Sequence, residues 1–142
     1  MEPLATHIEQ RILASFARQP LMANYGATIT AMGKGYVEIS LLPKDFLLRT
    51  NGIFHGGVIT ALADSAAGYA AGTLHDADAS FLTVELKINF LNPAKGDRLI
   101  TRAKVVKGGN TLTVVQTDSF IENTESLRQV ATALLTFIRE KR

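Results

Sequence analysis

Asp64 is the only charged side chain between Gly57 and Leu74, a stretch that reads GVITALADSAAGYAAGTL. A carboxylate buried without a partner is costly, so such a run keeps one that is ion-paired, hydrogen-bonded, open to a cleft or used in chemistry. His55, Gly56 and Gly57 lead into the run. If the run is a helix, its first backbone N–H groups lack intrahelical acceptors and its dipole places positive charge there. Glycine lets a ligand approach that backbone with no Cβ in the way. Together these features offer acid–base or nucleophilic chemistry from Asp64 and an amide donor for a developing oxyanion. The plainer alternative is a paired structural carboxylate and a tight glycine loop.

Spacing sharpens the choice. Eight residues separate Gly56 from Asp64, which is about 12 Å along one helix. Groups that act on one carbonyl must each lie about 3 Å from the reacting atoms. If both serve one substrate, Asp64 must come from a second subunit across a two-fold axis, giving two equivalent sites per dimer.

The elements that would position these groups can be read from periodicity. Residues 4–18 place Leu4, Ile8, Ile12 or Leu13, and Phe16 at helical spacing and Pro20 stops the pattern, which predicts a short amphipathic N-terminal helix. GATITAM and YVEISLL flank GKG at 33–35 and predict a hairpin. The run from Gly57 to Leu74 is apolar nearly all round, as a buried helix requires, and small residues in its second half permit close backbone approach. Four strand-like segments follow, at 80–91, 97–107, 111–122 and 127–139. The first alternates Phe81, Thr83, Glu85, Lys87 and Asn89 with Leu82, Val84, Leu86, Ile88 and Phe90, the period of a half-buried strand. GGN at 108–110 permits the positive φ angles of a tight turn. The last segment is compatible with a helix, but its Thr and Val content favours a strand. The whole predicts an α+β domain, an antiparallel sheet packed on one buried helix.

Composition bounds the rest. The chain of 142 residues suits a single domain over 1–142, with the helix in 1–20 and the core in 25–139, and no repeat or linker divides it. It has no cysteine, which rules out a disulfide framework and a thiol nucleophile and leans toward a cytoplasmic location. Glu2, Glu9, Arg11 and Arg18 interrupt the first twenty residues, so neither a signal peptide nor a membrane span is expected. Net charge is +2, and the basic residues are not interleaved with exposed aromatics, so nucleic acid is not an expected partner. Lys87, Lys95, Arg98, Arg102, Lys104 and Lys107 gather against only Asp97, which suits a phosphate-bearing ligand or, more plainly, a solvated strand face.

HGGVITALAD, GYAAG, TVELKINFLNPAKGD and KGGNTL together resemble the PaaI-like branch of the hotdog-fold acyl-CoA thioesterases over roughly residues 25–139. The resemblance implies a sheet wrapped around one long helix, subunits joined edge to edge into a homodimer with a homotetramer left open, and active sites at the dimer interface. It implies hydrolysis of acyl-CoA, a small-molecule substrate, to free acid and CoA without a metal or other cofactor. By residue, Asp64 matches the carboxylate that acts as general base or nucleophile, and Gly56 the amide that holds the oxyanion. His55 matches the histidine of the motif, which hydrogen-bonds near the thioester and shapes the loop, a buried structural histidine bonded to backbone being the alternative. Thr83 matches a strand hydroxyl that orients water. Relatives carry Asn or Gln where this chain has Arg49, and Asn51 is the nearest replacement, although Asn51-Gly52 is also an ordinary turn signal. Arg98, Arg102, Lys104, Lys107, Gly108 and Asn110 are the candidates for holding CoA. Hotdog domains also serve as acyl-CoA-binding modules and as acyl-thioester hydratases, and both stay open as alternatives.

Overall fold

A computed structural model describes residues 1–76 and 79–140, so the single-domain reading over 1–142 extends past the described residues. The chain forms α1 (Thr6–Ala17), α2 (Pro20–Tyr25), β1 (Thr28–Gly33), β2 (Tyr36–Leu41), a 3-10 turn (Asp45–Leu47), α3 (Gly56–Gly72), β3 (Phe81–Phe90), β4 (Arg98–Gly108), β5 (Leu112–Asn123) and β6 (Ser126–Arg139). The strands make one antiparallel sheet in the order β1-β2-β4-β5-β6-β3. Among the described residues no helix is long and apolar enough to cross a membrane.

Helix α3 lies on the inner face of the sheet because most of its surface is apolar. Val58, Ile59, Leu62, Ala63, Ala66, Ala67, Ala70 and Ala71 are buried, mostly against Val37, Ile39, Leu99, Ala103, Val115, Leu135 and Phe137. Its alanines keep the helix close to the strands and cost little side-chain entropy on burial.

Two sequence expectations change at the N-terminus and at a loop. Pro20 does not only stop a helix but starts α2, at a position where its missing N–H is one of the unpaired first-turn donors and its fixed φ suits the helix. At the β4–β5 turn neither Gly108 nor Gly109 has a positive φ. Space is the reason for glycine there, since a Cβ on Gly109 would lie 2.5 Å from the Leu112 carbonyl oxygen.

Strand β3 is one of the two edges of the sheet, with β1 the other, and differs most from the simple alternation. Thr83 pairs with Phe137 and Glu85 with Thr136, so Val84 is an extra residue in a β-bulge. The bulge exchanges faces. Phe81 and Thr83 face α3 before it, and Leu86, Ile88 and Phe90 face α3 after it. A strict two-residue period cannot place Thr83 and Leu86 on one side, and the inserted residue does.

Helix α1 is tied to the far end of α3. Arg11 donates from Nη2 to the Gly72 carbonyl at 2.7 Å and from Nη1 to the His75 carbonyl at 3.0 Å, satisfying acceptors that the end of a helix leaves open. The His75 ring leans on Phe81 with centroids 5.3 Å apart. Burial, and then the charges of Arg139 and Arg11, hold the His75 pKa below its ordinary value. The unfolded chain therefore binds this proton more readily than the folded one. The stability that depends on neutral His75 is fully present above about pH 6.5 and is lost as pH falls through the lower folded value. We expect Tm to fall more steeply from about pH 7.5 to about pH 5.5 in the wild type than in His75→Gln. Equal slopes would remove His75 from the acid response.

Candidate active site

The loop that delivers α3 is fixed by backbone bonds. The Phe54 N–H donates to the Ala94 carbonyl at 2.8 Å, His55 N–H to Leu47 at 2.9 Å, and Arg49 N–H to Ile53 at 2.8 Å. The tip turns at Gly52, whose φ of +80° suits glycine. Asn51 serves this turn: its Oδ1 accepts the Ile53 N–H at 3.3 Å. It makes no hydrogen bond to Asp64, His55 or Gly56 among the described residues.

His55 is the N-cap of α3. Its Nδ1 accepts the Gly57 N–H at 2.9 Å, so the neutral ring carries its hydrogen on Nε2. Sequence reasoning did not find this capping role, because Ser, Thr, Asp and Asn are the usual caps. The signal that was present is position, one residue ahead of the helical run. With Gly57 N–H taken by the cap, the Gly56 N–H at the first helical position has no acceptor among the described residues. The Phe90 ring packs against it, and a Cβ on Gly56 would lie 3.3 Å from Phe90 Cζ.

Asp64 sits eight residues further along α3, half-buried, and meets β3. Thr83 Oγ1 donates to Asp64 Oδ1 at 2.6 Å, a short bond of the charge-assisted kind. The bulge at Val84 makes this contact compatible with the apolar packing of the rest of β3. The pair opens into a cavity of about 530 Å³ that also reaches Ala61, Ser65, Gly68 and Tyr69. Such a site offers an oriented carboxylate with access for water and for a substrate.

Within one chain, then, Asp64 and Thr83 come together, while Gly56 and His55 lie about 12 Å away along the same helix. The basic candidates lie elsewhere. Arg98 is held by Glu122 at 3.1 Å, and Arg102 by Glu38 at 3.0 Å while it covers the Phe120 ring. Lys104 and Lys107 are exposed, Asn110 is in the β4–β5 turn, and Gly108 packs near Leu74. None of the six lines the Asp64 cavity. Among the described residues no group of three or more His, Asp or Glu side chains is placed to hold a metal ion.

Comparison with known proteins places the chain in a family. Residues 51–127, more than half of the chain, match the Thioesterase superfamily. Two proteins of Saccharolobus solfataricus, provisionally named esterases, are 36% identical over 98 residues and 37% identical over 83 residues. Those matches cover 69% and 58% of this chain and 65% and 59% of the relatives, so the chain spans less than two thirds of their length. A thioesterase family protein of Silicibacter pomeroyi superimposes with a TM-score of 0.90 at 42% identity, over 93% of this chain and 97% of that one. The E. coli PaaI protein from the phenylacetic acid degradation operon shares the fold, with a TM-score of 0.85 at 22% identity over 97% and 96% of the two chains.

Proposed function

The chain belongs to the thioesterase superfamily and has its hotdog fold, and from that premise we propose that it hydrolyses an acyl-CoA thioester to the free acid and CoA. The observation that carries the reading is the Asp64–Thr83 pair at the mouth of a cavity. Asp64 acts as general base on water or as the nucleophile, and Thr83 holds its carboxylate in place. The Gly56 N–H stabilises negative charge on the thioester oxygen as the carbonyl is attacked. In the base route water adds to the carbonyl carbon, the C–S bond breaks, and the proton taken by Asp64 passes to the departing thiolate.

One chain cannot bring Gly56 and Asp64 to one carbonyl, and the edge strand supports a two-fold solution. Outer-edge β3 exposes Leu82, Val84 and Phe90, each about half accessible, and a bare apolar edge is a surface that folded proteins cover. Asp64 stands beside Thr83 near the start of β3, and Gly56 beside Phe90 at its end. Antiparallel pairing of two β3 edges, centred on Lys87 once the extra residue Val84 is allowed for, sets Thr83 of one protomer opposite Phe90 of its partner. That register carries the Asp64 carboxylate toward the partner's Gly56 N–H, twice per dimer.

The test is thiol release from a panel of short, medium, long and aryl acyl-CoAs with product analysis. Free acid and CoA support hydrolysis, a changed acyl double bond points to a hydratase, and binding without turnover points to a binding module. Thr83→Val keeps the side-chain volume and removes the donor. A hydrogen bond to a charged group contributes about 1.5–3 kcal/mol, and the low end applies to this accessible pair, so about a tenfold loss of kcat is expected. An unchanged kcat would remove Thr83 from the mechanism.

A further inference from the structure

The cavity at Asp64 continues along α3 as a groove whose far wall is α1 and the start of α2. The two helices run antiparallel there, since Arg11 bonds the end of α3 at Gly72 while Gln19 bonds Ser65 and Tyr69 near Asp64. The Gln19 links have a direction. Ser65 Oγ donates to Gln19 Oε1 at 3.2 Å, and Gln19 Nε2 donates to Tyr69 Oη at 2.9 Å. Tyr69 Oη is thus occupied as an acceptor, and its own O–H has no acceptor among the described residues. Such a chain polarises its last donor. Phe16 holds the Tyr69 ring edge-on, with centroids 5.7 Å apart.

The groove's other charged groups are also donors. Arg11 has five N–H groups and uses two on the carbonyls of Gly72 and His75. Arg18 lines the groove and makes no side-chain hydrogen bond among the described residues. Among the described residues Asp64 is the one anion in the lining. The groove therefore has a carboxylate at one end and two guanidinium groups and a phenol donor along the rest. An all-carbon chain laid there displaces water from these donors without replacing its hydrogen bonds, and sites built from hydrogen-bonding groups discriminate against analogues that lack the matching atom.

We infer that this groove holds the acyl group and that the acyl group carries a second carboxylate, making the substrate the mono-CoA thioester of a dicarboxylic acid. The inference rests on the thioesterase reading and names its substrate class. Length follows from the helix. Gly72, where Arg11 is anchored, lies eight residues beyond Asp64, about 12 Å along the axis. Contacts of about 3 Å at each end leave roughly 6 Å, the span of an extended six-carbon diacid with its five C–C bonds of about 1.5 Å.

The test compares adipyl-CoA, 6-hydroxyhexanoyl-CoA and hexanoyl-CoA, which share a six-carbon backbone, by kcat/KM for thiol release. Adipyl-CoA is expected to exceed hexanoyl-CoA by at least about tenfold, because the groove is partly open to water and only the low end of such discrimination applies. Arg18→Gln, in protein of unchanged melting temperature, and Tyr69→Phe, which also takes the acceptor from Gln19 Nε2, are each expected to cut that ratio several-fold. Arg18 suits the test because its side chain makes no hydrogen bond among the described residues, unlike that of Arg11. Hexanoyl-CoA equal to or better than adipyl-CoA, 6-hydroxyhexanoyl-CoA equal to adipyl-CoA, or a ratio unmoved by both substitutions overturns the proposal. So does failure on all three in a protein that cleaves other acyl-CoAs. Failure on every acyl-CoA overturns the thioesterase reading itself.

Discussion

Asp64→Ala is expected to give a folded protein whose thiol release is slower by at least about a hundredfold, the usual loss when an acid–base group is removed. Folding should survive because, among the described residues, the only side-chain bond to Asp64 is the one from Thr83 on the edge strand. Alanine is also the better helix former, by a few tenths of a kcal/mol. Asp64→Asn sharpens the result. It retains an oxygen that accepts from Thr83 but has no charge to activate water or to attack. A loss equal to that of Asp64→Ala assigns the effect to the ionised carboxylate, whereas a much smaller loss assigns it to the hydrogen bond. Full activity in folded Asp64→Ala would falsify the mechanism, whatever the substrate.

Gly56→Pro should produce the second large effect, a fall in kcat of about a hundred- to a thousandfold, as when one oxyanion donor is removed. Gly56 is the first helical residue of α3, a position where proline fits the backbone and lacks only the N–H. His55 already has the extended conformation that a following proline requires, with φ of −63° and ψ of 138°. The Phe90 ring must shift by a few tenths of an ångström, which its half-exposed position allows. The helix therefore stays while the donor goes, and an unchanged melting temperature with wild-type kcat would exclude the Gly56 amide from the reaction.

The two variants together test the shared site. In a dimer of one Asp64→Ala chain and one Gly56→Pro chain, one site has Asp64 and Gly56 both intact if they come from different protomers. Random reassortment makes half the dimers mixed, each with one working site, so about a quarter of wild-type activity should return on mixing. If both groups came from the same chain, mixing would restore nothing. Subunits must be unfolded together and refolded so that exchange is complete, with size-exclusion measurements before and after.

Local physics made several elements legible. Asp64 in an apolar run, the HGG motif ahead of it and the alternating strands are patterns within windows of a few residues, where side-chain period reports the face that is buried. The 1.5 Å rise per residue was enough to argue that Gly56 and Asp64 need two protomers if both serve one carbonyl. The same local reading made Pro20 a stop, although proline at a first helical position is equally well suited to starting one. Alternation misassigned half of β3, because a bulge is an insertion relative to a partner strand and has no period of its own.

The sequence by itself determined the helix, the strand segments and the residue types at the site, since each follows from short-range spacing, propensity and the cost of burying charge. Only the tertiary structure decided which strand lies at the edge, that Thr83 reaches Asp64, that His55 caps α3, and that Gln19 joins Ser65 and Tyr69 across 46 and 50 residues. Those contacts depend on register and on the docking of distant segments. Many arrangements share the same local pattern, and packing of the whole chain selects among them.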